Sequence, residues 1–249
     1  MIPDQTFPQF KRHAVQPVEC LKQGWALIKD QYWLFVGMSV VGVLIGNTVP
    51  LGILAGPMMC GVYLALLKRW AGEPIEFGTL FKGFDFFKAG AIAGILHAVP
   101  VIIFIVPLYV LYIFMIVFAQ AGSRHGDPDP AAAMGFLAVF GIYLPIMLIL
   151  LTILSIGFAF AFPLIVDRGL SGVNAVKHSF RAGMANFWSL FGLLFLNGLL
   201  SLAGALVCGV GVYFVLPVTF AALAVAYTQV FGVARRAVVN TPPPPPSFN

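Results

Sequence analysis

The chain has 249 residues, of which 60% are hydrophobic and only 9% are charged, and its formal net charge is +5. Soluble domains carry about 25% charged residues, so these totals exclude an ordinary soluble protein. The 14 Lys and Arg residues are scattered along the chain rather than gathered into one patch, which argues against nucleic-acid binding. The three cysteines have no CxxC spacing, so no disulfide framework is predicted.

The first 17 residues are polar and interrupted by proline, and they are predicted to form a flexible N-terminal segment. They contain no short apolar core followed by a small-residue cleavage site, so no cleavable signal peptide is expected. A single transmembrane domain is predicted over 18–236, because all the long apolar stretches lie there. The remaining stretch, 237–249, includes the sequence TPPPPPSFN and is predicted to be a Pro-rich disordered tail.

Four long tracts contain no Asp, Glu, Lys or Arg. The first, 31–67, contains the turn-forming sequence GNTVPLG and is predicted to be a hairpin. The last, 182–234, is predicted to be two helices joined at CGVGV. Each middle tract contains proline but no such turn, so each predicts one long, kinked or tilted helix. The predicted fold is therefore all-α, a polytopic transmembrane helical bundle with six spans at about 33–49, 51–67, 89–119, 132–165, 187–207 and 211–233.

The positive charges agree with six spans. With both termini in the cytoplasm, 13 of the 14 Lys and Arg residues lie on the cytoplasmic side, and Arg124 alone lies outside. This distribution follows the positive-inside rule. An eight-span alternative, in which the middle tracts are also hairpins, satisfies the charges too and stays open.

Two stretches resemble each other at an offset of 155 residues, VECLKQGWALIKDQYW at 18–33 and VNAVKHSFRAGMANFW at 173–188. Their apolar matches recur at steps of three, four and seven, which predicts two amphipathic helices. Each leads through an aromatic pair, typical of the membrane interface, into an apolar hairpin. We therefore predict interfacial amphipathic helices and an internal repeat. A third such helix is predicted at FGTLFKGFDFFK, with Leu80, Phe84 and Phe87 on one stripe.

Three sequences carry a resemblance to a known group of proteins: GPMMCGVYLALLKRWAGEPIEFGTLFKGF, PLIVDRGLSGVNAVKHSFRAGMANFWSLFGLL and CGVGVYFVLPVTFAALAVAYTQVFG. The chain resembles bacterial multi-pass membrane proteins that include domains of unknown function. Some members of this group are similar to the membrane domain of glycerophosphoryl diester phosphodiesterases. The resemblance covers 18–232 and implies a bacterial cytoplasmic (inner) membrane location. It supplies no catalytic residues, and no counterpart of the soluble catalytic domain is expected within these 249 residues.

His97 is the one ionisable residue well inside an apolar tract, and intramembrane ionisable groups often mark function. It predicts either a proton or substrate site near Pro100, or a neutral imidazole bonded to a helix that bears Asn47 or Asn197. These residues, His97, Asn47 and Asn197, form the predicted intramembrane polar site.

The other motifs predict structure rather than chemistry. The sequence DRG, 167–169, is predicted to end a helix with a local ion pair. The sequences GVLIG, GILAG and GAIAG have the small-residue spacing that allows close helix packing within the chain. No pattern predicts a catalytic residue, a cofactor or a metal ligand.

Together these features predict a non-enzymatic integral membrane protein with a membrane-organising or lipid-associated role. Its predicted partners are membrane lipids and not nucleic acid, while a homo-oligomer or a protein partner stays open. The alternative is a transporter or channel-like carrier of a small solute or lipid, because repeated hairpins and broken helices are typical of transporters. An enzyme acting on lipid headgroups is disfavoured, since the sequence lacks clustered carboxylates or histidines.

Overall fold

The computed structural model describes residues 9–123, 130–206 and 209–233. The predicted tail, Arg124 and residues 1–8 of the predicted N-terminal segment lie outside this part of the chain. The described residues are all-helical, with 86% helix and no strand. Their α-helices, numbered in chain order, are α1 Pro17–Ile28, α2 Tyr32–Gly46, α3 Ala55–Trp70, α4 Phe87–Ser123, α5 Pro130–Phe158, α6 Ala161–Arg168, α7 Gly172–Ala185, α8 Phe187–Leu206 and α9 Gly211–Phe231. A 3₁₀ helix, Phe77–Phe86, precedes α4.

Five helical stretches of the described residues are long and apolar enough to cross a membrane: Pro17–Gly46, Phe77–Val117, Leu137–Arg168, Phe187–Leu206 and Gly211–Phe231. The difference from the six predicted spans lies in the first hairpin. α3 has only 16 residues, which is about 24 Å of helix against a hydrocarbon core of about 30 Å. α1 and α2 are joined by a short 3₁₀ turn and count as one stretch.

The helix boundaries differ from the prediction at two places. The turn between α2 and α3 is wider than predicted, and it contains Leu51 and Gly52, both with positive φ. The predicted span 132–165 is interrupted between α5 and α6, at Ala159 and Phe160. By contrast, α4 continues through both of its prolines as one long helix.

Three pairs of apolar helices follow one another in the chain: α2 with α3, α4 with α5, and α8 with α9. The helices that precede these pairs are called the lead helices: α1, the 3₁₀ helix and α7, respectively. Each lead helix lies mainly against the second helix of a pair other than its own and also contacts the first helix of that pair. For the 3₁₀ helix and α7 this is the pair before them in the chain, and for α1 it is the last pair. Thus α1 packs on α9 and α8, the 3₁₀ helix on α3 and α2, and α7 on α5 and α4. The first helix of each pair also contacts the pair on which its lead helix packs: α2 contacts α9, α4 contacts α3 and α8 contacts α5. The three pairs therefore contact one another in a closed circle.

Each lead helix presents a small residue to the helix on which it packs. A Cβ atom at Gly24 of α1 would lie 2.8 Å from the backbone nitrogen of Ala222. A Cβ atom at Gly83 of the 3₁₀ helix would overlap the carbonyl oxygen of Pro57. Ser179 has this position in α7 and is fully buried. Close backbone approach of this kind is typical of membrane helices that pack through small residues.

The third predicted interfacial helix is a 3₁₀ helix rather than an α-helix. Side chains three residues apart share a face in such a helix. Leu80 and Gly83 accordingly form a buried face, while Phe84 and Phe87 are exposed on another. The single stripe predicted for Leu80, Phe84 and Phe87 is therefore wrong, because it assumed the α-helical period.

The outer parts of α4 and α5 are apolar and exposed. The most apolar 18-residue window of each stretch contains no buried residue. Tyr109, Val110 and Leu137 are 64%, 61% and 73% exposed, respectively. A soluble protein seldom exposes so continuous an apolar surface, and helices of this kind match the hydrocarbon core of a bilayer.

Candidate functional site

His97 contacts an aromatic ring rather than a polar partner. It lies in α4, and its ring meets Phe158 of α5 edge to face, with 4.9 Å between the ring centroids. Its Nδ1 atom is buried and has no hydrogen-bond partner among the described residues.

The structure does not bring His97 together with its predicted partners. Asn197 is buried in α8, and neither polar atom of its amide has a hydrogen-bond partner in the described part of the chain. Asn47 is exposed at the end of α2, where its amide donates to the carbonyl oxygen of Val43 at 2.7 Å. Asn47 thus caps its own helix. The polar site predicted from His97, Asn47 and Asn197 stays a prediction, because no hydrogen bond joins these three residues in the described part of the chain.

A different set of polar groups meets where α6 and α9 end. Asp167 is almost fully buried, with 6% of its side chain exposed. Its Oδ2 atom accepts hydrogen bonds from the hydroxyl of Tyr227 at 2.6 Å and from Nε of Arg168 at 3.1 Å. The predicted ion pair within DRG is present, and Tyr227 of α9 adds to it.

Arg168 also satisfies the end of a neighbouring helix. Gly169 ends α6 with a left-handed backbone conformation, φ +65°, which glycine adopts without steric cost. The guanidinium group of Arg168 then donates to the carbonyl oxygens of Phe231 and Gly232, at 3.0 and 3.4 Å. These are terminal carbonyls of α9, which would otherwise lack a partner within their helix.

Gln229 connects α9 to the beginning of α1. Its Oε1 atom accepts from the backbone N–H of Gln16 at 3.0 Å and from the thiol of Cys20 at 3.3 Å. On α1, one turn from Cys20, Gln23 donates to Glu19 at 2.8 Å. The Cys20 thiol is therefore used as a structural donor to an amide.

A cavity of about 830 Å³ lies beside these groups. It is formed where the C-terminal ends of α3, α6 and α9 meet, with one side chain from α1. Its polar lining consists of Gln23, Lys68, Glu73, Asp167, Thr228 and Gln229, and the rest is mainly apolar. This volume is within the range of small-molecule sites, about 300–1,000 Å³.

No protein-family model, curated protein or solved structure matches the chain. Within the described residues, no three His, Cys, Asp or Glu side chains are grouped as metal ligands would be.

Sequence reasoning found the Asp167–Arg168 pair but missed its partner Tyr227 and the cavity that Gln229 helps to line. Tyr227 and Gln229 lie about sixty residues further along the chain, and their sequence context is that of an ordinary apolar helix. Their only signal is a polar pair, Thr228 and Gln229, at the end of an otherwise apolar helix. Charge at the end of one helix does not reveal which other helix ends lie beside it.

His178 of α7 has a lowered pKa. Partial burial of the imidazole and the nearby positive charges of Arg181 and Lys177 all disfavour its charged form. The side chain is consequently neutral at neutral pH, in a helix that otherwise carries cations.

Proposed function

We propose that the chain is a six-span protein of a bacterial cytoplasmic membrane, with both termini in the cytoplasm. The proposal is supported by the place where the first hairpin returns. Arg69, near the end of α3, donates to the carbonyl oxygen of Leu27 and to the carboxylate of Asp30, each at 3.2 Å. Asp30 lies just before α2, so α3 brings the chain back to the level from which α2 leaves. The short length of α3 is then accommodated by local thinning of the bilayer.

We further propose that the chain is an internal repeat of three units, each a lead helix followed by a helix pair. α7 begins 172 − 17 = 155 residues after α1, and α8 begins 187 − 32 = 155 residues after α2. This is the offset at which the two sequences resemble each other. The three lead helices also share a pattern of apolar, small and aromatic residues: Leu21, Gly24 and Trp25; Leu80, Gly83 and Phe84; Val176, Ser179 and Phe180.

The role that this architecture supports best is non-enzymatic and lipid-associated. The observation that carries it is the surface of the lead helices, on which each small residue is buried and the next residue is an exposed aromatic. Aromatic side chains of this kind are enriched at the boundary between headgroups and acyl chains. Exposed lysines stand nearby on the same helices, Lys22, Lys82 and Lys177, where they suit anionic headgroups.

A transporter or channel-like carrier is the second candidate. It is favoured by Asn197 and His97, whose buried polar atoms inside apolar helices have no hydrogen-bond partner among the described residues. Such groups are costly in a bilayer and often mark a solute path. A His97→Ala variant with undiminished solute flux would remove this residue from the argument.

Cysteine accessibility tests the six-span topology. In a variant whose three native cysteines are replaced, single cysteines are placed at Thr48, between α2 and α3, and at Ser171, before α7. A membrane-impermeant maleimide added to intact cells is expected to label position 48, and to label position 171 only after permeabilisation. Labelling of both positions from outside, or of neither, would contradict six spans.

Lipid analysis tests the proposed role. The protein is purified in detergent and washed, and the bound lipid is identified by mass spectrometry. Phospholipid that copurifies in a fixed ratio to protein is expected. Protein that is folded but free of phospholipid would contradict a lipid-associated role.

A further inference from the structure

The cavity between the ends of α3, α6 and α9 brings opposite charges around one space. Lys68 and Glu73 form an ion pair at 3.4 Å, and their side chains are 32% and 51% exposed. Asp167 also lines the cavity, and its charge is balanced by Arg168, which is not part of the lining. Because both carboxylates are paired, the cavity has no large net charge, so it does not select a simple anion or cation.

A zwitterion complements these walls better than a singly charged ligand. An ammonium group suits the acidic side of the cavity, because the carboxylates of Asp167 and Glu73 both line it. A phosphate suits Lys68, because a partly exposed ion pair with Glu73 is weak and easily exchanged. The ring of Trp70 is part of the lining, and aromatic faces attract ammonium groups.

The remaining lining indicates that the zwitterion belongs to a lipid. Leu64, Leu67 and Val166 contribute apolar surface to the same cavity. A small soluble zwitterion has no group to cover that surface, whereas a phospholipid has its glycerol and first acyl methylenes. We propose that this cavity binds the ammonium–phosphate head of a membrane phospholipid, with the ammonium at Asp167 and the phosphate at Lys68. The inference rests on the lipid-associated role and specifies its ligand.

Binding of short-chain lipids to the full-length protein in detergent tests the inference. The probes are dioctanoyl phosphatidylethanolamine, dioctanoyl phosphatidylglycerol and soluble glycerophosphoethanolamine, and native mass spectrometry gives their affinities. Phosphatidylethanolamine is expected to bind about tenfold more tightly than phosphatidylglycerol, because only the former offers a charge-assisted hydrogen bond to a carboxylate. Glycerophosphoethanolamine is expected to bind more weakly than phosphatidylethanolamine, since it lacks acyl chains.

Substitutions in the cavity locate the site. Lys68→Gln and Asp167→Asn are each expected to weaken phosphatidylethanolamine binding about tenfold. The matched controls Lys88→Gln and Asp85→Asn change the same groups at exposed positions outside the cavity and are expected to leave binding unchanged. Because Asp167 also accepts the hydroxyl of Tyr227, Lys68→Gln at the cavity rim decides the matter if Asp167→Asn does not fold.

Two results would overturn the inference: equal affinity for the two phospholipids, or a Lys68→Gln protein that binds like the native one. Glycerophosphoethanolamine bound as tightly as the phospholipid would instead assign the cavity to a soluble zwitterion. In each case copurified phospholipid would still support the proposed role. Only the loss of copurified phospholipid from the native protein would remove the role itself.

Discussion

The lead helices α1 and α7 bury the same three positions but fill them differently. The buried stripe of α1 is Cys20, Gly24 and Ile28, and at an offset of 155 residues α7 buries Ala175, Ser179 and Gly183. Both helices are followed by a break in the backbone, at Gln31 with φ −126° and at Asn186 with φ −116°. The two helices therefore agree in their buried positions and in the backbone break that follows them. They differ in the side chains that contact the neighbouring helix.

That difference follows from the helix on which each lead helix packs. α9 is continuous where Gly24 meets it, so its backbone has no spare donor or acceptor and only close contact is possible. The partner of α7 is interrupted between α5 and α6. There the hydroxyl of Ser179 accepts from the N–H of Phe160 at 3.0 Å and donates to the carbonyl of Gly157 at 2.6 Å. A small residue is needed at both positions, but a polar one only where the neighbouring backbone is broken.

Placing the serine of α7 at the equivalent position of α1 is expected to give the largest loss of stability. In Gly24→Ser, the new Cβ would meet backbone atoms of Ala221 and Ala222 at 3.1 and 2.8 Å, and backbone cannot rotate away. Overpacking of this kind costs about 3 kcal/mol at its upper end, or roughly 6–12 °C in Tm at this chain length. Thermal unfolding of the purified protein in detergent measures it.

Gly198→Ser is the matched control for this substitution. Gly198 lies within α8, and a Cβ there would have no atom within 4 Å. Its Tm is expected to remain close to that of the native protein. Equal losses in the two variants would mean that helix propensity, and not the contact of α1 with α9, sets the cost.

Removing the hydroxyl of α7 is expected to give an intermediate effect. Ser179→Ala keeps a small side chain at this position. It leaves the buried N–H of Phe160 and the buried carbonyl of Gly157 without the hydrogen bonds that they make to the hydroxyl. An unpaired buried polar group costs about 1–3 kcal/mol, so a loss of about 2 kcal/mol is expected. Ser171→Ala is the control, because Ser171 makes no side-chain cap hydrogen bond. A Ser179→Ala protein as stable as its control would contradict the role given to the hydroxyl.

The sequence predicts the lead helices well and their contacts poorly. The spacing of Val18, Leu21 and Trp25, and of their matches in α7, is that of one helical face, which is a local signal. The 3₁₀ geometry around Gly83 is not predicted, because the choice between periods depends on contact with α3. From the sequence, Gly24 and Ser179 can only be recognised as small residues. Their different roles, close contact at Gly24 and hydrogen bonding at Ser179, depend on the helix on which each one packs. The cavity depends on three helix ends far apart in the chain, so it has no local signal.

The smallest expected effect is a pH dependence that belongs to α7 alone. Position 178 is His in α7, and its equivalent at the same offset, position 23 in α1, is Gln. The pKa of His178 is lowered from 6.5 by partial burial and by Arg181 and Lys177. A lowered pKa means that folding favours the neutral imidazole. This stabilisation is complete above pH 6.5 and is lost as pH falls through the folded-state pKa.

His178→Gln removes this dependence and makes α7 resemble α1. Between pH 8 and pH 5 the native protein is expected to lose slightly more Tm than His178→Gln. Lys177→Gln is expected to reduce that loss, because one of the repelling charges is gone while the imidazole remains. A native protein that gains stability relative to His178→Gln on acidification would require a raised pKa, with an acidic neighbour in place of the two cations. Position 23 in α1 is Gln and cannot titrate, so a pH dependence that survives in His178→Gln comes from neither of these two equivalent positions.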